Sequence, residues 1–406
     1  MRQLICSVAV AITILGVLAG SASAQPMPVA SWDEAVKQAR GQQVNFFMWG
    51  GFEALNRFID EHVGKVLNDD YGVKLNRIPI KDTVEAVNKV LAEKQAGKDR
   101  DGSVDLIWIN GENFKTLRQA NLIFGPWAQL VPNTKYVDWS DPSVANDFGI
   151  PVEGYESPWQ KGQFVMIYDS AKISSPPRTI AQLKEWVQAN PGKFTYSAPP
   201  DFSGTAFATH VLYETTGGAR EWVGVADPSV LREKAKAAWQ WFRDVRPALW
   251  RQGQTYPQRV IELDDLFANG EVSMIFSYQP VYAAAQIEKG KFPATTRTFV
   301  FEAGTVSNSN YVAIPYNAAH KGAGIVTANV LLSPAAQLAI ADPRIVGRLP
   351  VIDPRKLDAD DRRKLEALPR HPSVLPTAEL AAKRVGPLHP ALIPVFEAEW
   401  KRNVVQ

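Results

Sequence analysis

The chain has 406 residues, 46% hydrophobic and 21% charged, with 29 Pro and 27 Gly spread along it. At roughly 150 residues per domain this makes two or three domains with sizeable cores and excludes wholesale disorder. Forty-four Lys and Arg against 42 Asp and Glu leave a net charge of +2, no electrostatic footprint for nucleic acid, and the single Cys6 with five dispersed His excludes a Cys/His metal site.

Met1-Arg2 precedes an apolar stretch, Leu4 to Ala19, and Ala22-Ser23-Ala24 stands before Gln25. A positive start, an apolar middle and an A-x-A end predict a secretory signal peptide over 1–24. The alternative, a retained anchor, is disfavoured because the run falls short of the ~20 residues a span needs. The mature chain from Gln25 contains no cysteine. A periplasmic protein of this kind would be held together by packing, without disulfides.

From Val44 the pattern alternates. Val44 to Trp49 reads as a buried strand, and Leu55, Phe58, Ile59, Val63 and Val66 form one helical stripe. Val73 to Ile80 reads as a second strand. Asp82 caps a helix ending near Gly97, and Val104 to Ile109 is a third strand. This succession predicts a parallel sheet with right-handed crossovers. Prolines 132, 142, 151 and 158 then mark an inter-domain crossing over 131–162.

A second series follows: strands at 164–168, 194–197, 271–277 and 297–301, with helices at 179–188, 204–215, 229–246, 260–269 and 281–288. A Gly304 to Asn308 loop leads into a strand over 311–315 that returns to the first domain. The expected architecture is therefore α/β and two-lobed, each lobe a mainly parallel sheet flanked by helices, with two inter-lobe crossings. Lobe 1 is 25–155 and 305–345, lobe 2 is 156–304, and 346–406 is a helical segment packed on the lobes. A cleft that closes between them is the mechanical consequence.

Ligands of open α/β sheets sit beyond the carboxyl ends of the strands. That rule selects Trp49 and Gly50 after the first strand, and Asn110, Gly111 and Glu112 after the third. It also selects Glu156 and Trp159 at the crossing, Asp201, Ser203, Gly204 and Thr205 in the second domain, Tyr278, and Asn308 at the return. Trp49, Trp159 and Tyr278 offer flat faces to a ring or a cation, and Glu112 and Asp201 offer negative charge. Ser203-Gly204-Thr205 opens a helix whose free N–H groups would cradle an anion. Each also has a plainer role: a Trp at a strand end packs a core, Asp201 caps a helix, and paired Gly residues make a turn.

Several runs resemble a known family. They are Phe47 to Gly51, Gly102 to Phe114, Glu156 to Trp159, Pro199 to Phe207 and Leu331 to Gln337. They are similar to the extracellular solute-binding proteins of ABC importers, especially the YnjB-type subgroup. That likeness implies the two-lobed periplasmic-binding-protein fold, no cofactor, and handover of a small solute to an inner-membrane permease with its ATPase, by a monomer. Carboxylates and aromatic faces favour an organic cation, and the cradle would hold an attached phosphate, so thiamine or a thiamine phosphate fits both. A polyamine or a sugar is the alternative.

Catalysis finds little support. The chain contains no G-x-S-x-G elbow, no H-E-x-x-H and no phosphate loop. An exported hydrolase using Glu112 and Glu156 across the cleft is the remaining enzymatic alternative.

Overall fold

Strand-forming runs and amphipathic helices build two layered units. The computed structural model describes residues 29–369 and 371–406, so the expected signal peptide lies outside the described residues. The strands are β1 (Gln43–Trp49), β2 (Lys74–Ile80), β3 (Leu106–Ile109), β4 (Asn146–Asp147), β5 (Ile150–Pro151) and β6 (Glu156–Gln163). They continue with β7 (Val165–Asp169), β8 (Met274–Ser277), β9 (Thr296–Phe299), β10 (Thr305–Ala313) and β11 (Arg384–Val385).

In lobe 1, β1 lies between β2 and β3 and runs parallel to both, while β10 runs antiparallel to β3. The two-residue period of β1 sends Val44, Phe46 and Met48 into one apolar layer and Phe47 into the other. Helices therefore cover both faces. Thr83–Gln95 and Gly111–Gln119 pack on the Phe47 side, and Lys321–Leu331 and Pro334–Ala341 on the other. The caps follow the sequence. The Asp82 carboxylate accepts from the Val84 N–H, and the Ser333 hydroxyl accepts from the Ala336 N–H.

Lobe 2 differs from expectation in strand sense. Its central strand β7 runs antiparallel to both neighbours, β8 and β9. The expected strand at 194–197 is reduced to one parallel bridge, Phe194 to Met274. The lobe relies instead on an aromatic core in which Phe207 stacks on Phe276 and Tyr196 packs on Phe242. The two expected crossings also shift. Residues 131–155 stay with lobe 1, burying Val131, Val137 and Val144 in its core. The crossing is β6 itself, paired antiparallel with β10 over Ser307 to Ala313. The expected loop at 305–308 is the buried start of β10.

The segment after 345 is part of both cores. Val346, Val351, Ile352 and Leu357 bury in lobe 1, whereas Leu380, Leu388, Phe396 and Trp400 bury in lobe 2. Between Leu357 and Leu380 the chain thus crosses a third time.

Candidate functional site

A cavity of about 210 Å³ lies between the lobes. Lobe 1 contributes Trp49 and Asn110 from the ends of β1 and β3, Trp108 from within β3, Glu112 from the next helix, and Asp82 and Arg348 from loops. Lobe 2 contributes Asp201, Ser203 and Thr205 at the start of the helix Phe202–Thr215, Asp264, Tyr278 and Tyr282, and Glu397 from the helix Ile393–Trp400. Phe148 of lobe 1 meets Phe202 of lobe 2 edge-on at 6.3 Å, and Lys289 reaches Glu53 at 3.3 Å. The lobes touch around the cavity they share.

Local structure explains the lobe 1 wall. The Trp49 ring lies over Gly51 so closely that a Cβ there would sit 2.2 Å from it, and Trp49 meets Trp108 edge-on at 6.5 Å. The Trp108 indole N–H donates to Asn310 Oδ1, and the Asn110 amide donates to the Ser309 carbonyl, tying both to β10. Gly111 has φ +57° and lies against Phe148, so glycine is required there.

The cavity gathers acids. Burial raises the Glu112 carboxyl above its usual range, with Asp82 adding repulsion. Burial pushes Glu397 up to about 8, offset in part by the Thr205 hydroxyl, which donates to it at 2.7 Å; repulsion from Glu112, Asp82 and Asp201 adds to the rise. Asp264 rises to about 6, chiefly by burial, although the Tyr282 hydroxyl donates to it and Lys291 Nζ stands 3.6 Å from it. Carboxyls raised by burial and by one another are the signature of a negative pocket awaiting a positive charge.

The expected anion cradle is already filled. Asp201 Oδ1 accepts from the Gly204 N–H at 2.9 Å and from the Ser197 hydroxyl at 2.8 Å, and Oδ2 accepts from the Val260 N–H at 3.1 Å. The protein's own carboxylate takes the place of a solute anion at that helix end. Ser203 and Thr205 still face the cavity, but Gly204 packs against the Ser197 carbonyl.

Five other expected residues lie behind the wall. Trp159 is fully buried in the lobe 1 core, edge-on to Trp108 at 5.2 Å and Phe46 at 6.4 Å, because its strand carries it inward. Glu156 is fully buried at the start of β6, pushed well above the usual carboxylate range by burial and then by Asp147. It cannot face Glu112 across the cleft as the hydrolase alternative requires. Asn308 lies within the crossing ribbon, its amide donating to the Ser309 carbonyl. Gly50 backs onto Pro79 and donates to the Ile80 carbonyl. Gly111 serves the turn, its N–H donating to Asp147.

Sequence reasoning passed over Trp108, Asp264, Arg348 and Glu397 as cavity residues. For Glu397 a signal exists. Ile393 and Glu397, one helical turn apart, share the face lining the cavity, while Phe396 and Trp400 bury in the core. An acid in so apolar a helix is the clue. Arg348 has no comparable marker.

The family model for the bacterial extracellular solute-binding proteins matches residues 63–365. Protein YnjB of Escherichia coli (strain K12) is 37% identical over 371 residues, covering 91% of this chain and 93% of that protein. Among solved structures, the spermidine/putrescine ABC transporter substrate-binding protein PotD of Streptococcus pneumoniae is similar with a TM-score of 0.62 at 12% identity, covering 89% of this chain and 99% of the other. A periplasmic thiamin binding protein gives 0.57 at 18%, covering 90% and 96%. These likenesses share the two-lobed periplasmic-binding-protein fold. With the family match and the YnjB relationship, they lead to one conclusion: this chain belongs to the bacterial extracellular solute-binding proteins, the solute-capturing components of ABC transporters.

Proposed function

We propose that this protein captures a small organic cation, of the thiamine or polyamine kind, between its lobes and delivers it unchanged to an inner-membrane ABC permease. It would do so as a periplasmic monomer after removal of its first 24 residues. The observation that carries this reading is the convergence of Glu112, Asp264 and Glu397 on one cavity walled by Trp49, Trp108 and Tyr278. Each charge-assisted hydrogen bond from an ammonium contributes about 1.5–3 kcal/mol. Aromatic faces add roughly 0.5–2 kcal/mol each. Together these reach the ~8 kcal/mol of micromolar affinity.

Closure of the lobes would exclude water from the cavity and strengthen these contacts. Because burial favours the protonated form of these acids, a bound cation lowers their pKa values and favours proton release. Titration calorimetry with thiamine, putrescine, spermidine and glucose, each in two buffers of different ionisation enthalpy, tests the proposal. At least one cation should bind with proton release and leave unaltered. Binding of glucose alone, or turnover of a bound solute, would overturn it.

A further inference from the structure

Within this acidic cavity stands one buried cation. Arg348 is 6% exposed, and it lines the same cavity as the carboxylates. Its guanidinium carbon lies 5.2 Å from the Trp108 ring centre and 5.6 Å from that of Phe52. The backbone behind it is fixed: the Arg348 N–H donates to the Ile340 carbonyl at 2.7 Å, and Gly347, at φ +70°, packs tightly against Val281.

The neighbouring arginines behave differently. Arg344 binds Asp342 through two N–H groups at 3.0 and 2.6 Å, and Arg355 pairs with Asp353 at 2.7 Å. Among the described residues Arg348 has no such carboxylate, and its buried Nε–H finds no acceptor. Burial alone lowers its pKa, to about 9, with no acidic neighbour holding it up. An unpaired buried cation is among the costliest groups a fold can carry, and a protein with no use for it would place a neutral side chain there. The two aromatic rings satisfy the flat faces of the guanidinium. Its edge donors, whose fork matches a carboxylate or phosphate, are left for the cavity.

We infer that Arg348 is the anion-recognition residue of this cleft, so that the solute carries a carboxylate or phosphate alongside its cationic group. The inference rests on the cation-binding proposal, because it assigns the second pole of the same solute. It also moves the anion from the helix start, which Asp201 fills, to the opposite lobe.

The test uses two matched pairs of probes on the full mature protein: putrescine with ornithine, and thiamine with thiamine monophosphate. Each pair differs by one anionic group, a carboxylate in the first and a phosphate in the second. The native protein should bind the anionic member of one pair at least tenfold more tightly, and the pair that responds identifies the group. Arg348→Gln should abolish that preference and, by removing a like charge from the cavity, bind the cation-only member at least as tightly as the native protein. With the unpaired charge removed, the unliganded variant should melt no lower than the native protein.

If a cation-only probe binds and no pair shows the preference, or if Arg348→Gln weakens both members equally, the Arg348 assignment is overturned and cation binding stands. A variant that melts much lower assigns Arg348 to packing, with the same result. If no probe binds, cation recognition fails and the assignment falls with it.

Discussion

The two walls of the cleft are built by different means. On the lobe 1 side, Trp49 and Asn110 stand at the ends of parallel strands, and Trp108 and Arg348 stack beside them. On the lobe 2 side, the acids come from a helix start (Asp201), a helix interior (Asp264) and a helix distant in sequence (Glu397). Both walls carry rings and acids: Trp49 and Trp108 with Glu112 and Asp82 on the first, Tyr278 and Tyr282 with Asp201, Asp264 and Glu397 on the second. Each lobe thus supplies only part of the rings and part of the acids, so only apposed lobes present a complete site.

The largest effect should come from separating the wall from what lies behind it. Trp159→Ala is expected to cost about 3–5 kcal/mol of stability, as for other buried aromatic truncations. Affinity should be unchanged wherever the variant is folded, which urea unfolding followed by calorimetry checks. A fall in affinity without a fall in stability would put Trp159 in the wall after all.

Next come the acids. Glu112→Gln with Glu397→Gln removes one carboxylate from each side and should weaken a bound cation about 100-fold, from two lost charge-assisted contacts. Calorimetry with the tightest cation reads this directly, and a loss below fivefold would contradict the charge assignment.

A pH series sharpens the same point. Glu397 sits at about 8 in the folded chain against 4.5 when unperturbed. Between those values the native state holds a proton that the unfolded state has lost. The stability from this group is therefore full below about 4.5 and lost as pH rises through about 8. Glu397→Gln should flatten that decline in a series of thermal melts from pH 4 to 9. The smallest change expected is Trp49→Ala, roughly 1 kcal/mol of affinity from one aromatic face with little change in melting temperature.

Much of the lobe 1 site is legible in the sequence because strand ends announce themselves: an apolar run stops, and the next residues face the ligand side. Trp49, Asn110 and Glu112 follow from that rule. It misplaced Glu156 and Trp159 because the Pro-rich stretch before them reads as a linker, whereas they belong to a strand buried on all sides. The helix cap at Asp201 was visible, but whether its carboxylate or a solute fills the N–H groups depends on the Ser197 and Val260 contacts. Glu397 and Arg348 come to the cavity only through tertiary packing of a segment that threads both cores. The antiparallel sense of β7 was equally hidden, since a short buried strand looks alike in either direction.

β6 and β10 join the lobes as one hydrogen-bonded ribbon, irregular only at Asn310 and Tyr311. A pair of slack tethers would let one half of the molecule wander in every direction relative to the other. A laddered strap would instead confine a swing to bending and twisting about the ribbon. The search for a partner surface would then be over a narrow range of angles rather than every orientation, and the same side chains would meet at each closure.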